Sequence, residues 1–156
     1  MDIALKSTGN GGDFILSGND IESTSSLYNQ VYLALFGGNV EDSTKRNYAA
    51  GEERLDYWAN SLLYENKPIE QFNSSTEREL KNVSLTSAGI IRIEQAVKVD
   101  LSFISELGNY EVEVSFLENN QLSIEVKLLE PSGEKSQALN FIWDASRNEV
   151  INTEII

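Results

Sequence analysis

The feature that most constrains the fold is a change in the spacing of apolar residues partway along the chain. From Val97 onward, apolar side chains occupy every second position in a series of short runs. The runs are Val97 to Phe103, Tyr110 to Phe116, Leu122 to Leu128 and Leu139 to Trp143. Alternation of this kind is typical of strands that bury one face and expose the other. We therefore predict an antiparallel meander of about four strands with one apolar face and one wet, acidic face.

Residues that favour turns separate these runs. They are Gly108-Asn109, Asn119-Asn120 and Pro131-Ser132-Gly133. Short polar connections join neighbouring antiparallel strands, which is consistent with a meander. The chain ends with Val150 to Ile156, which we predict to be a further strand-like segment. Because it is rich in isoleucine, it can close the domain's own sheet or pair with the edge of another chain.

Before the alternation begins, apolar residues follow a helical period of about 3.6. The first predicted helix runs to about Phe36 and ends at Gly37-Gly38-Asn39, since glycine favours a helix C-terminus. Its wide apolar face combines two rows, which are Leu27, Val31 and Leu35, and Tyr28, Tyr32 and Phe36. Ser74 and Glu77 fit a capping box at the start of a second helix.

A third predicted helix follows a break near Leu85 to Gly89 and carries Ile90, Ile93 and Val97 on one side. These helices must cover the apolar face of the meander. The predicted fold class is therefore α+β, with N-terminal helices packed on a C-terminal antiparallel sheet.

The chain length of 156 residues suits one domain, so we predict a single domain over residues 1–156. Within it, residues 1–12 are expected to be a flexible lead-in. A short strand over Asp13 to Leu16 and a turn over Ser17 to Asp20 are predicted next. No signal peptide is recognisable, and no apolar run approaches the roughly 20 residues that span a bilayer. We expect a soluble protein assembled in the cytoplasm, without a membrane partner.

The amino-acid composition excludes several kinds of catalytic and metal-binding site. The chain contains no Cys and no His, which excludes disulfides, thiolate metal sites and nucleophilic sites that depend on histidine. We accordingly expect no metal and no cofactor. Twenty-five acidic residues against twelve basic ones give a formal charge of −13. Such a charge repels phosphate backbones, so we expect no nucleic-acid partner, and it either favours a basic protein surface or only maintains solubility.

Paired carboxylates are the only candidate catalytic residues that the sequence offers. Glu52-Glu53, Glu111 with Glu113, and the isolated Asp100 could serve as acid and base in a glycosidase. One carboxyl of such a pair must lie in an apolar pocket, which raises its pKa. Glu111 and Glu113 alternate with buried positions and should face water instead. We therefore predict that the chain is not an enzyme.

The residues with the strongest interface character are Arg54, Tyr57 and Trp58, because Arg, Tyr and Trp are enriched in binding hot spots. Trp58 could equally be a core residue. The second candidate interface is the terminal segment, represented by Val150, Ile151, Ile155 and Ile156.

In their order along the chain, these segments resemble the Mu-type branch of the baseplate-wedge, sheath-initiator family of contractile-tailed phages. The segments that carry the resemblance are Met1 to Leu5, Asp13 to Leu16, Ser26 to Phe36, Arg54 to Leu63, and Lys67-Pro68-Ile69. Two further helices and a strand meander follow, so the resemblance covers nearly the whole chain. One departure is the Glu-Pro-Arg signature of related initiators, because the matching region here reads Glu94-Gln95-Ala96-Val97-Lys98.

The resemblance implies a structural protein of the virion, located in the tail baseplate. Its partners would be other baseplate wedge proteins and the tail sheath protein, with tube or hub proteins as further candidates. Family members join wedge proteins and anchor the first sheath ring by strand addition, a role that the strand-like C-terminus would suit. The alternative function is that of an acidic α+β binding module, chaperone-like or immunity-like, that masks a basic partner protein.

Overall fold

The computed structural model describes residues 2–7, 12–24, 27–38, 65–66, 73–129 and 136–155. Short strands precede the first helix, and they pair with one another. They are β1 (Asp2–Ile3), β2 (Leu5–Ser7), β3 (Gly12–Phe14), β4 (Leu16–Ser17), β5 (Asp20–Ile21) and β6 (Ser23–Thr24). β1 pairs with β6, β2 with β3 and β4 with β5, each antiparallel.

The prediction of a flexible lead-in over residues 1–12 is therefore wrong for residues 2–7. Leu5 pairs with Phe14 and Lys6 with Asp13, so cross-strand hydrogen bonds hold this segment. The strand predicted over Asp13 to Leu16 and the turn after it are confirmed in outline. Gly18 has φ +66°, as the first central residue of a type II′ hairpin turn requires.

The described helices are α1 (Tyr28–Phe36), α2 (Ser75–Asn82) and α3 (Ser87–Asp100), and a short 3-10 helix (Ser102–Glu106) follows α3. α1 ends at the predicted residue, with Gly37 as its C-cap. Gly38 then has φ +100°, a conformation that glycine adopts without strain. No described helix has both the length and the apolar character needed to cross a membrane.

The predicted break between α2 and α3 is confirmed, and it depends on a close approach at Gly89. This glycine lies in the first turn of α3, where its N–H donates to the side chain of the N-cap residue Thr86 (3.2 Å). A Cβ atom at residue 89 would lie 2.2 Å from the Ser84 carbonyl oxygen and 2.7 Å from a methyl group of Val83. The α2–α3 connection therefore packs against the backbone of Gly89 at a distance that leaves no room for a side chain.

The strand predicted over Val97 to Phe103 is wrong, because this segment is the end of α3 and the start of the 3-10 helix. The fully buried side chains recur at helical spacing, and they are Ile93, Val97, Leu101 and Ile104. Val99 and Phe103, which alternation would bury, are 63% and 38% exposed. Val97 and Leu101 fit both periods, so packing of the helical face against the sheet decided between them.

The main sheet contains β7 (Asn109–Phe116), β8 (Gln121–Leu129), β9 (Ser136–Asp144) and β10 (Glu149–Ile155). The strand order is β10-β9-β8-β7, and every neighbouring pair is antiparallel. The predicted α+β fold class and the four-stranded meander are thus confirmed. The fourth strand is the C-terminal segment rather than residues 97–103.

The core lies between the helices and one face of this sheet. Phe141 of β9 is at its centre, with its ring 6.1 Å from that of Tyr28, 6.3 Å from Tyr32 and 5.4 Å from Phe36. Phe36 also stacks on Trp143, with a centroid separation of 6.4 Å. The aromatic row predicted for α1 is therefore part of the core. Aromatic packing of this kind contributes beyond the burial of apolar area.

Candidate functional site

The predicted interface residues have different outcomes. Arg54, Tyr57 and Trp58 lie outside the described residues, as does Ile156. Val150 is only 6% exposed and its side chain belongs to the core beside β9, so a partner could meet this residue only through its main chain.

The other two terminal candidates are also part of β10. Ile151 is half-buried at a bulge in the strand, and Ile155 pairs with Leu139 through the backbone. The terminal segment therefore closes its own sheet, which is one of the two alternatives that its sequence allowed.

The outer edge of β10 is partly occupied by contacts within the chain. The Thr153 N–H is accepted by the side chain of Asn152 (3.0 Å), and the Thr153 hydroxyl accepts a hydrogen bond from the Tyr28 hydroxyl (2.9 Å). Strand β2 also lies close to β10. The Thr153 N–H is thus taken by a side chain, and β2 lies where an added strand would approach.

The opposite edge of the sheet, strand β7, pairs with no strand other than β8 among the described residues. Tyr110 connects this strand to α3, because its hydroxyl donates a hydrogen bond to the backbone carbonyl of Lys98 (3.1 Å). An edge strand of eight residues presents a row of unused N–H and C=O groups, which is a template for another strand. β7 is therefore the more open edge.

The hydrogen bonds of the β7–β8 hairpin indicate which backbone N–H and C=O groups of β7 face the free edge of the sheet. Leu117 N–H donates to the Gln121 carbonyl (2.9 Å), so these two residues form a hydrogen-bonded pair. Such pairs alternate with non-bonded pairs along an antiparallel ladder, and the register of β7 with β8 has no shift. The odd-numbered residues of β7 thus bond to β8. The backbone groups that face the free edge are those of Tyr110, Val112, Val114 and Phe116.

The side chains of β7 divide between the two faces of the sheet. Tyr110 and Val112 pack against the core, while Glu111 and Glu113 are exposed on the outer face, as predicted. Lys127 of β8 is the neighbouring cation, with its Nζ 3.9 Å from Glu113 Oε2 and 3.2 Å from Glu125 Oε1. These carboxylates raise the pKa of Lys127, and the hydrogen bond that Lys127 donates to Glu125 has the largest effect. One lysine among three glutamates leaves this part of the surface acidic.

A depression of about 420 Å³ lies along the same edge. It is lined by Tyr110 and Val112 on the core side of β7, by Glu111 and Glu113 on the outer face, and by Lys98 of α3. Since both faces of one strand contribute, the depression follows the free edge of β7. It is open to solvent, and Glu125 and Lys127 of β8 complete its lining.

No family model matches the chain, and no curated protein or solved structure matches it either.

Asp100, considered above as a catalytic acid, caps a helix instead. Its carboxylate accepts hydrogen bonds from the N–H groups of Ser75 (3.0 Å) and Thr76 (2.7 Å) at the start of α2. Burial raises the pKa of the Asp100 carboxyl, and these hydrogen bonds act in the opposite direction. A carboxylate at a helix N-terminus compensates unpaired N–H groups and the helix dipole, so its role is to join α3 to α2.

The capping box predicted at α2 is half confirmed. Ser74 Oγ accepts a hydrogen bond from the Glu77 N–H (2.9 Å), as predicted. The Glu77 carboxylate, however, accepts from the Gly38 N–H (3.1 Å), and the Ser74 N–H donates to the Gly38 carbonyl (2.8 Å). Ser74 Oγ also donates to the carbonyl of Leu35. The side chains that would cap α2 alone therefore also satisfy the C-terminal end of α1.

The open edge of β7 was missed by sequence reasoning because residues 97–103 were placed in the sheet beside it. In that predicted arrangement β7 had a neighbouring strand on both sides and no free edge. A signal was present in Glu111 and Glu113, because adjacent charged positions on one strand face are a common protection of sheet edges.

Proposed function

We propose that the protein is a structural component of a contractile phage-tail baseplate, which joins wedge proteins and anchors the first sheath ring by strand addition. The observation that carries this proposal is an antiparallel sheet with an unpaired edge strand in the described part of the chain. Strand addition derives affinity from backbone hydrogen bonds and places few demands on side chains. The order of sequence segments that resembles sheath initiators supports the same role.

The mode of attachment differs from the one that the terminal segment first suggested. β10 is already paired with β9, so it is not a loose strand that the chain donates. Under the proposal, a partner's strand is added to this sheet, and the chain acts as the acceptor. A stable attachment needs a total buried area of about 1,200–2,000 Å², which the helices or the residues before α2 must help to supply.

Deletion of the gene that encodes this chain tests the proposal directly. The particles should then contain tubes without a polymerised sheath when viewed by electron microscopy, and the wild-type gene supplied in trans should restore the sheath. Normal sheathed tails in the deletion strain would contradict the proposal.

A second candidate function is an acidic binding module that masks a basic partner. It is favoured by the three glutamates that face solvent or lie half-buried around Lys127 on the outer face of the sheet. A basic protein encoded by the adjacent gene, and co-purifying with this chain at a fixed stoichiometry, would favour this function over the baseplate role.

A further inference from the structure

We propose that the free edge of β7 binds an extended segment of a partner protein in which apolar and basic residues alternate. This inference rests on the proposed docking function, because it assigns the edge that accepts a strand and the chemistry of that strand. It concerns β7, at the opposite side of the sheet from the terminal strand β10.

The backbone of β7 sets the register of the added strand. The outward groups belong to every second residue, from Tyr110 to Phe116, so an antiparallel partner forms hydrogen-bonded pairs at these positions. Its residues opposite Glu111 and Glu113 then form the non-bonded pairs, in which side chains approach one another most closely. Electrostatic contacts across the new ladder are therefore strongest at the two glutamates.

The charges determine which side chains suit the outer face. Glu111 and Glu113 are exposed, and the lysine that lies beside Glu113, Lys127, is shared with Glu125. Opposite charges directly across a ladder stabilise it, and like charges destabilise it. Lys or Arg at the two partner positions that face these glutamates is therefore favoured.

The other face of the added strand meets an apolar surface. Its alternate residues lie beside Tyr110 and Val112, which are half-buried, and beside Phe116, which is 42% exposed. Apolar side chains there would cover surface that the sheet now leaves open to water. The depression along this edge is lined by residues of both faces, Tyr110 and Val112 on one and Glu111 and Glu113 on the other.

A second copy of this chain is the occupant that the charges disfavour. Two β7 strands paired antiparallel keep the same faces together, which brings glutamates of one copy to those of the other. Like charges in opposite positions destabilise such a ladder. The same glutamates that attract a basic strand thus protect the edge against self-association.

The test uses the full-length chain and a synthetic peptide that alternates lysine with valine over eight residues, the length of β7. Fluorescence anisotropy of the labelled peptide measures the affinity. Two exposed glutamates outside the main sheet, Glu22 and Glu65, provide a charge-matched control. We expect the double variant Glu111→Lys/Glu113→Lys to bind about tenfold or more weakly, and Glu22→Lys/Glu65→Lys to bind like the wild type.

Two further measurements separate strand addition from charge attraction. A peptide of the same composition with its lysines grouped together should bind more weakly than the alternating one. Hydrogen exchange should show new protection at the Val112 and Val114 amides when the alternating peptide binds, because their N–H groups face the free edge. The Glu111→Gln/Glu113→Gln variant should bind with intermediate affinity, since it removes the attraction without adding repulsion.

Three outcomes would overturn the proposal. They are an equal loss of binding in both lysine double variants, binding without protection at β7, and dimerisation through β7 in place of peptide binding. None of them affects the gene-deletion experiment, so failure here would leave the baseplate role standing. Conversely, normal sheathed tails in the deletion strain would remove the baseplate role and leave a β7 edge that still binds the peptide.

Discussion

The buried junction between α1 and α2 offers a quantitative prediction about Ser74. Ser74 is 1% exposed, and two of the hydrogen bonds of its side chain carry the prediction. It accepts the Glu77 N–H as an N-cap, and it donates to the Leu35 carbonyl at the end of α1. We expect Ser74→Ala to lower the free energy of unfolding by much more than the loss of an ordinary helix cap.

The magnitude follows from the two contacts. Replacing an N-cap serine by alanine costs about 1 kcal/mol. A buried acceptor left without its donor costs about 1–3 kcal/mol more, because the Leu35 carbonyl cannot turn to water. The total is about 2–4 kcal/mol. Thr86 is the matched control, since it caps α3 through the Gly89 N–H but is exposed. Thr86→Ala should cost only about 1 kcal/mol.

Urea unfolding followed by circular dichroism measures both variants under the same conditions. With a denaturant slope of about 2 kcal/mol/M, the midpoint should fall by about 1–2 M for Ser74→Ala and about 0.5 M for Thr86→Ala. Equal shifts in the two variants would refute the reasoning. They would mean that the hydrogen bond from Ser74 to the Leu35 carbonyl contributes nothing to stability.

Three further predictions concern α3. Gly89→Ala should destabilise the protein by about 1–3 kcal/mol in thermal unfolding, although alanine favours helices, because the new Cβ meets the Ser84 carbonyl; a rise in melting temperature would contradict the close approach. Val97→Ala should cost about 2 kcal/mol and Val99→Ala less than about 0.5 kcal/mol, whereas equal losses would restore the strand interpretation. The pKa of Asp100 is raised in the folded state, so folding favours the protonated carboxyl. The free energy of unfolding of the wild type, measured relative to that of Asp100→Asn, should therefore fall as the pH rises from about 3.8. A relative gain would show that the hydrogen bonds from the helix N–H groups outweigh burial.

The edges of the sheet show why sequence reasoning located the function only approximately. The isoleucine-rich terminus predicted a strand at the end of the chain, and β10 confirms it. Whether that strand pairs within the chain depends on its partner β9, and nothing within the segment itself encodes this choice. The misassigned strand over residues 97–103 likewise concealed the free edge of β7, because an edge is defined by the absence of a neighbour.

Local patterns in the sequence determined the individual elements of this protein. The alternation from Tyr110 onward, the turn at Asn119-Asn120 and the glycines after Phe36 act over a few residues, so β7, β8, β9 and the end of α1 were correctly predicted. Asn119 and Asn120, for example, both adopt the left-handed conformation that the turn needs, with φ of 60° and 61°.

Only the tertiary structure decided what these elements do together. Val97 and Leu101 satisfy both a strand and a helix pattern, and burial against the sheet selected the helix. The same packing made Ser74, Glu77 and Asp100 connect helices through bonds to residues that are distant in sequence. The physical reason is that periodicity reports the preferences of neighbours along the chain, while edges, junctions and binding surfaces arise from contacts between residues that are far apart in it.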